Sequence, residues 1–164
     1  MTTSSRVWLF GDDVNTDMII PGRYLDNYDP DHLASHAMEG ISSEFASGVS
    51  KGDVIVAGAN FGCGSSREQA VIALKHAGIG AVIAQSFARI FYRNSINLGL
   101  PAIVSSEASK VFHSGDSVIL DLRSDTLQSQ DGSKTATLQP VPEHLAKILE
   151  SGGLIPYLKS RLNR

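Results

Sequence analysis

The residues best suited to chemistry stand together in one run of this 164-residue chain: Gly62-Cys63-Gly64-Ser65-Ser66-Arg67-Glu68. An apolar segment, Asp53–Ala57, precedes the run. Behind it Ala70, Val71, Leu74 and Ala77 recur at helical spacing. A glycine-rich loop between a strand and a helix N-terminus makes an anion site, because first-turn N–H groups lack intrahelical partners and the helix dipole favours negative charge there. Glycines let the backbone bend and let a ligand approach. Ser65 and Ser66 add hydroxyls, and Arg67 adds a planar fork that matches a carboxylate or phosphate. Three familiar loops are excluded by spacing. A phosphate-binding P-loop needs Gly-Lys-Ser/Thr where this chain has Gly64-Ser65-Ser66-Arg67. A dinucleotide loop needs glycine where Arg67 stands, and a nucleophile elbow around Ser66 needs glycine where Glu68 stands. The same residues also spell a capping box, with Ser65 as N-cap and Glu68 three positions on. The two readings are compatible if Ser66 or Glu68 caps the helix while Ser65 faces the ligand.

Other chemistry-bearing residues carry less. Cys63 is the one cysteine, so the chain forms no intrachain disulfide and no cysteine-based metal site. An iron–sulfur cluster takes about three or four thiolates, so any such cluster beside this chain belongs to another chain. His32 and His36 have the i, i+4 spacing of zinc ligands but lack a third partner, and read as a surface pair. No metal is expected on this chain. Thr16 and Asp17 either hold the preceding loop near the glycine run or cap a turn. Arg89 and Arg93 fall opposite an apolar stripe and by default pair with surface acids. Asn94 lies on that stripe, beside Phe87, Ile90 and Phe91, and needs a partner, for which a tie to a neighbouring loop is expected.

The elements that must position these residues read as α/β. Strands are expected at 6–11, 53–57, 81–84 and 102–104, and helices at 30–39, 65–77 and 87–98. Strand–helix–strand alternation implies a mostly parallel core sheet flanked by helices, with right-handed crossovers. Short strands at 117–122 and 136–138 around polar turns suggest a small additional antiparallel β section, followed by a helix at 143–150 and a final turn or two to residue 162. The length suits a single domain over 1–164. A net charge of −3 with no basic run argues against nucleic acid or an anionic membrane as partner. No apolar stretch approaches a membrane span, and the first residues lack an apolar signal core, so a cytoplasmic location is expected.

Three segments together resemble the swivelling β/β/α domain of the aconitase superfamily: Asp13-Val14-Asn15-Thr16-Asp17-Met18-Ile19, the run Gly62–Glu68, and Ala81–Ala84 followed by Ser86-Phe87-Ala88-Arg89-Ile90-Phe91. Length and the single cysteine are similar to the separate small subunits of the isopropylmalate dehydratases and homoaconitases. The resemblance implies a hydro-lyase that isomerises a small dicarboxylic 2-hydroxy acid by dehydration and rehydration, in leucine biosynthesis for the commonest members. It implies a large-subunit partner, in a heterodimer or heterotetramer, that carries a [4Fe–4S] cluster acting as Lewis acid on the substrate. It further implies that Ser65 is the base for the carbon-bound proton, and that Arg67, with Ser66 and Gly64 beside it, binds a substrate carboxylate.

In such enzymes a Tyr-Leu-x-x loop reaches the group that distinguishes one substrate from another. Here it reads Tyr24-Leu25-Asp26-Asn27. Isopropylmalate enzymes place apolar residues at the variable positions and homoaconitases an arginine; Asp26 and Asn27 suit neither. Aspartate would repel a third carboxylate and line an isopropyl pocket poorly. Asp26 pointing to solvent, Arg23 supplying a cation, or a smaller substrate such as citramalate or a dimethylmalate would each reconcile the loop with the family. A module that binds a carboxylate without turnover is the alternative from outside the enzymes.

Overall fold

The computed structural model describes residues 5–163. The apolar runs become β2 (Val54–Ala57), β3 (Ala81–Ala84) and β4 (Ala102–Val104), which lie parallel to one another and to β1 (Ser5–Leu9). β2 and β3 are buried on both faces, which is why they read as continuous apolar runs rather than alternating ones. Ile55, Ala57, Val82 and Ala84 join the core on one face, and Val54, Val56, Ala81 and Ile83 that on the other, as a period of two requires. The first core is closed by α2 (Pro30–Ala34), α4 (Glu68–Ala77) and α5 (Arg89–Asn97). The second is closed by α6 (Ala108–Val111) and by apolar residues of β5 (Ser117–Asp121), β6 (Thr126–Ser129) and β7 (Thr135–Thr137).

The antiparallel section is not separate from the parallel core. β5 pairs with β1, so one seven-stranded sheet runs β4-β3-β2-β1-β5-β6-β7. β6, Thr126-Leu127-Gln128-Ser129, escapes sequence reading because only Leu127 is apolar; β5 and β7 form it by pairing on both sides. Short α1 (Thr16–Ile19) and α3 (Phe45–Gly48) fill the connections. The expected helix at 30–39 ends at Ala34 and continues as turns, with Met38 held in left-handed backbone. Beyond α7 (Glu143–Glu150), the expected final turn or two is a nine-residue helix, α8 (Leu154–Leu162). Among the described residues no helix is long and apolar enough to cross a membrane.

Asp53 locks the start of this sheet. Its buried carboxylate accepts from the backbone N–H of Arg6 (3.1 Å) and Ser50 (2.9 Å), from Trp8 Nε1 (3.0 Å) and from Arg6 Nη2 (3.3 Å). Burial pushes its pKa up, but the hydrogen bonds from Ser50, Trp8 and Arg6 outweigh that and leave it below the usual aspartate value. A depressed folded-state pKa contributes stability that is present above the unfolded pKa of about 3.9 and is lost as pH falls through the folded value. Asp53→Asn is expected to cost about 1–3 kcal/mol at pH 7, with the gap from wild type narrowing below about pH 4. Denaturant unfolding midpoints at pH 7 and pH 3 check both parts; a gap independent of pH would refute the charge argument.

Candidate active site

The glycine-rich loop is held from both sides by backbone hydrogen bonds. On one side Gly62 N–H donates to the Val14 carbonyl (2.7 Å), Thr16 N–H to the Cys63 carbonyl (2.8 Å), and Thr16 Oγ1 to the Ser65 carbonyl (2.9 Å). Thr16 is itself buried, so of the two sequence readings it is the one that fixes the loop. On the other side Phe61 N–H donates to Ser86, and Ala88 N–H donates back to Phe61 (3.0 and 2.9 Å), which joins the loop to the start of α5. Gly62 has a φ of +84°, and a Cβ there would lie 2.2 Å from Phe91 Cγ, so no other residue fits without displacing the α5 ring.

The capping box does not form. α4 starts at Glu68, its N-cap is Arg67 in extended backbone, and no side chain caps it. The bond from Thr16 to the Ser65 carbonyl ties residue 65 to the preceding loop, and residues 65–67 lie outside the helix. Ser65 and Ser66 are therefore exposed two and one positions ahead of the cap, and neither hydroxyl has a hydrogen-bond partner among the described residues. The Arg67 side chain is only 18% exposed, and its Nη1 donates to Asp17 Oδ1 (3.2 Å) and to the Ile20 carbonyl (3.1 Å). The Gly22 N–H first, and Arg67 second, hold the Asp17 carboxyl below its usual range. Asp17 thus anchors Arg67, a contact that neither sequence reading, holding the loop near the glycine run or capping a turn, had named.

Ser65, Ser66, Arg67 and Gly64 line a cleft of about 190 Å³, to which the α5 segment adds Ala88, Arg89, Ile90, Phe91 and Asn94. Two α5 residues sit differently from expectation. Ile90, expected in the core, is 48% exposed. Phe91 packs edge-on against Phe61 (5.2 Å between centroids) and stacks with Phe87 (6.2 Å), and this cluster sets the rotation of α5. The Asn94 side chain, expected to tie α5 to a loop, makes no hydrogen bond among the described residues and lines the cleft. Arg89 and Arg93 are exposed and pair with no acid among the described residues; Arg89 stands at the cleft rim.

The Tyr24–Asn27 loop stands back from this cleft. Tyr24 donates to Glu39 Oε1 (2.7 Å) and stacks on His36 at 3.7 Å, while Arg23 pairs with Glu39 (2.8 Å). His32 and His36 therefore clamp a tyrosine rather than form a bare surface pair. Leu25 packs on the core, Asp26 is exposed, and Asn27 Oδ1 accepts the Asp29 N–H (2.8 Å). Gln69, which sequence reading passed over, is buried and reaches from α4 to the Leu25 carbonyl (3.4 Å). Its one signal was an amide at an otherwise apolar helix position.

Among the described residues no group of three or more His, Cys, Asp or Glu could hold a metal. A lone half-buried Cys63 does not fit the ligand needs of an iron–sulfur cluster.

Residues 14–108 match the family described as aconitase C-terminal domain, a span that contains the whole lining of the cleft. The chain is 57% identical to the methanogen homoaconitase small subunit of Methanothermobacter thermautotrophicus, over 94% of this chain and 90% of that one. It is 53% identical to 3-isopropylmalate dehydratase small subunit 1 of Methanopyrus kandleri, over 94% and 91%. A crystal structure of 3-isopropylmalate dehydratase from Methanocaldococcus jannaschii superposes with a TM-score of 0.93 at 52% identity, covering 99% of this chain and 96% of that one. With the matched span and the near full-length similarity in agreement, the chain belongs to the aconitase C-terminal domain family.

Proposed function

We propose that the chain is the small subunit of a hydro-lyase that interconverts 2- and 3-isopropylmalate through isopropylmaleate, and that it acts only with a large subunit bearing a [4Fe–4S] cluster. The observation that carries this reading is the pairing of an unengaged Ser65 hydroxyl with the aimed Arg67 fork in one cleft at the uncapped N-terminus of α4. Arg67, with Ser66 and the Gly64 backbone, binds one carboxylate of the diacid. Ser65 takes the proton from the carbon adjacent to the one bearing the hydroxyl, the hydroxyl leaves as water with a second proton supplied from the large-subunit side, and an alkene diacid remains. Water returns to the neighbouring carbon, releasing that second proton to the same side, as Ser65 gives its own proton back. Helix N-terminal amides and a guanidinium both favour the serine anion this requires, more so once a partner closes the site. Departure of the hydroxyl rests on the large subunit, since the residues here do not fit a cluster. The Tyr24–Asn27 loop enters as an element that tunes substrate choice through its link to α4 at Gln69.

A second reading, homoaconitate as substrate, is favoured by the 57% identical relative. Repulsion by Asp26 no longer opposes it, because that side chain is exposed outside the cleft. Reconstitution with a cognate large subunit, assayed on 2-isopropylmalate, citramalate, dimethylmalate and homocitrate, separates the two. The expected result is highest kcat/KM on 2-isopropylmalate and no turnover by the purified chain alone. Preference for homocitrate selects the second reading, and turnover without a partner overturns the two-subunit scheme.

A further inference from the structure

We infer, resting on the function proposed above, that Glu39 is a positioning residue for Arg67: it fixes the short 3₁₀ turn Gly22–Tyr24 against α1, and through the Asp17 carboxylate between them it sets where the guanidinium meets a substrate carboxylate. Arg67 is anchored outside its own helix, on Asp17 of α1 and on the Ile20 carbonyl that follows α1. The same Asp17 Oδ1 accepts the Gly22 N–H at 3.0 Å, and a Cβ on Gly22 would lie 3.9 Å from Arg67 Nη2. The guanidinium, the Asp17 carboxylate and the start of the turn therefore meet at one point. Ile20-Pro21 alone joins α1 to that turn. A single 3₁₀ turn holds itself weakly, and this one contains no buried residue and no side-chain cap.

Glu39 supplies the hold from both directions. Its backbone neighbours are fixed to α1: Met38 N–H donates to the Ile19 carbonyl (2.7 Å) and Gly40 N–H to the Met18 carbonyl (3.1 Å). The approach is close, since a Cβ on Gly40 would lie 2.7 Å from Met18 Cα. Its side chain grips the turn: Oε1 accepts from the Tyr24 hydroxyl (2.7 Å) and from Arg23 Nη2 (2.8 Å). Oε2 pairs with His36 Nδ1, and the His36 ring stacks on Tyr24 at 3.7 Å. Hydrogen bonds from Tyr24 first, then from His36 and Arg23, outweigh burial and hold the Glu39 carboxyl below the usual glutamate range, so the grip is that of an ionised group. Arg23 is 64% exposed, so its ion pair adds little to stability, and the effect of Glu39 falls on orientation instead. One residue thus spans α1 and the turn, and closes a chain of contacts from Glu39 through Gly22 and Asp17 to Arg67.

In the reconstituted two-subunit enzyme, Glu39→Gln keeps the shape and one acceptor but loses the charge. It is expected to raise KM for 2-isopropylmalate by about three- to tenfold, with kcat within about twofold of wild type. Tyr24→Phe removes a single donor and should move KM the same way by less. The coupling is read on an Asp17→Ala background, which lacks the oxygen shared by Gly22 and Arg67. There, Glu39→Gln should change KM by less than about twofold. A purely structural glutamate would lower the unfolding midpoint and leave KM alone, or raise KM by the same factor on both backgrounds; either result overturns the inference. In the full chain by itself, nitrogen NMR relaxation of the Arg67 Nε–H should show a more mobile guanidinium in Glu39→Gln than in wild type, and an unchanged signal likewise overturns it. That readout needs no turnover. A wild-type complex inactive on every diacid would therefore defeat the proposed function, while the Arg67 signal would still decide the role of Glu39.

Discussion

Ser65→Ala in the reconstituted enzyme is expected to lower kcat by about 10²- to 10⁴-fold, the range for loss of a positioned acid–base group, while the dissociation constant of the diacid stays within about threefold. The physical case is local. The Ser65 side chain is exposed in the cleft and engages nothing among the described residues, while its carbonyl is held by Thr16, so removing the oxygen leaves the backbone in place. Since Arg67 and not Ser65 is the N-cap of α4, no cap is lost, and unfolding is expected to shift by less than about 0.5 kcal/mol. A capping serine would behave in the opposite way, losing about 1 kcal/mol of stability and little catalysis. Ser66→Ala, beside the same arginine, is the matched control and should raise KM with a smaller change in kcat. Near-normal turnover by Ser65→Ala with intact binding would select the module that binds a carboxylate without turnover.

How much of this was legible in the sequence depends on what fixes each residue. The parallel core was legible because β2, β3 and β4 are apolar on both faces and glycines end the helices between them. The loop was legible because glycines followed by Ser65-Ser66-Arg67 have few uses. The start of α4 was not, although the capping box was locally well formed; the bond from Thr16, 49 positions away, pulls Ser65 out of the helix. The rotation of α5 escaped for a similar reason. Helical spacing puts Ile90 and Phe91 on one broad face, and only ring packing against Phe61 decides which of them turns inward. Asp17 was ambiguous because its partners, Gly22 and Arg67, lie 5 and 50 positions away. Local rules thus located the glycine loop and the helices beside it, while long-range hydrogen bonds and aromatic packing determined how their side chains are oriented.

Arg67→Lys keeps the charge and tests that orientation directly. Arg67 spends Nη1 on Asp17 and the Ile20 carbonyl and lines the cleft; in the proposed function its remaining N–H groups meet the carboxylate from that anchor. A lysine ammonium is a point donor on a flexible stem, so it must choose between the Asp17 anchor and the substrate, and it cannot form the two parallel bonds of a guanidinium. Loss of one charge-assisted hydrogen bond costs about 1.5–3 kcal/mol, so kcat/KM is expected to fall by about 10- to 100-fold, mainly through KM. Asp17 sharpens the distinction. Its carboxyl is held low first by the Gly22 N–H, so it stays ionised above the usual carboxylate range even when its partner is lysine, and it competes with the diacid for the ammonium. Asp17→Asn on the Arg67→Lys background should therefore recover part of the loss, whereas on wild type it should cost activity by loosening the arginine. Activity of Arg67→Lys within about threefold of wild type, or no recovery in the double variant, would show that charge alone binds the carboxylate and that the Asp17 anchor has no part in aiming it.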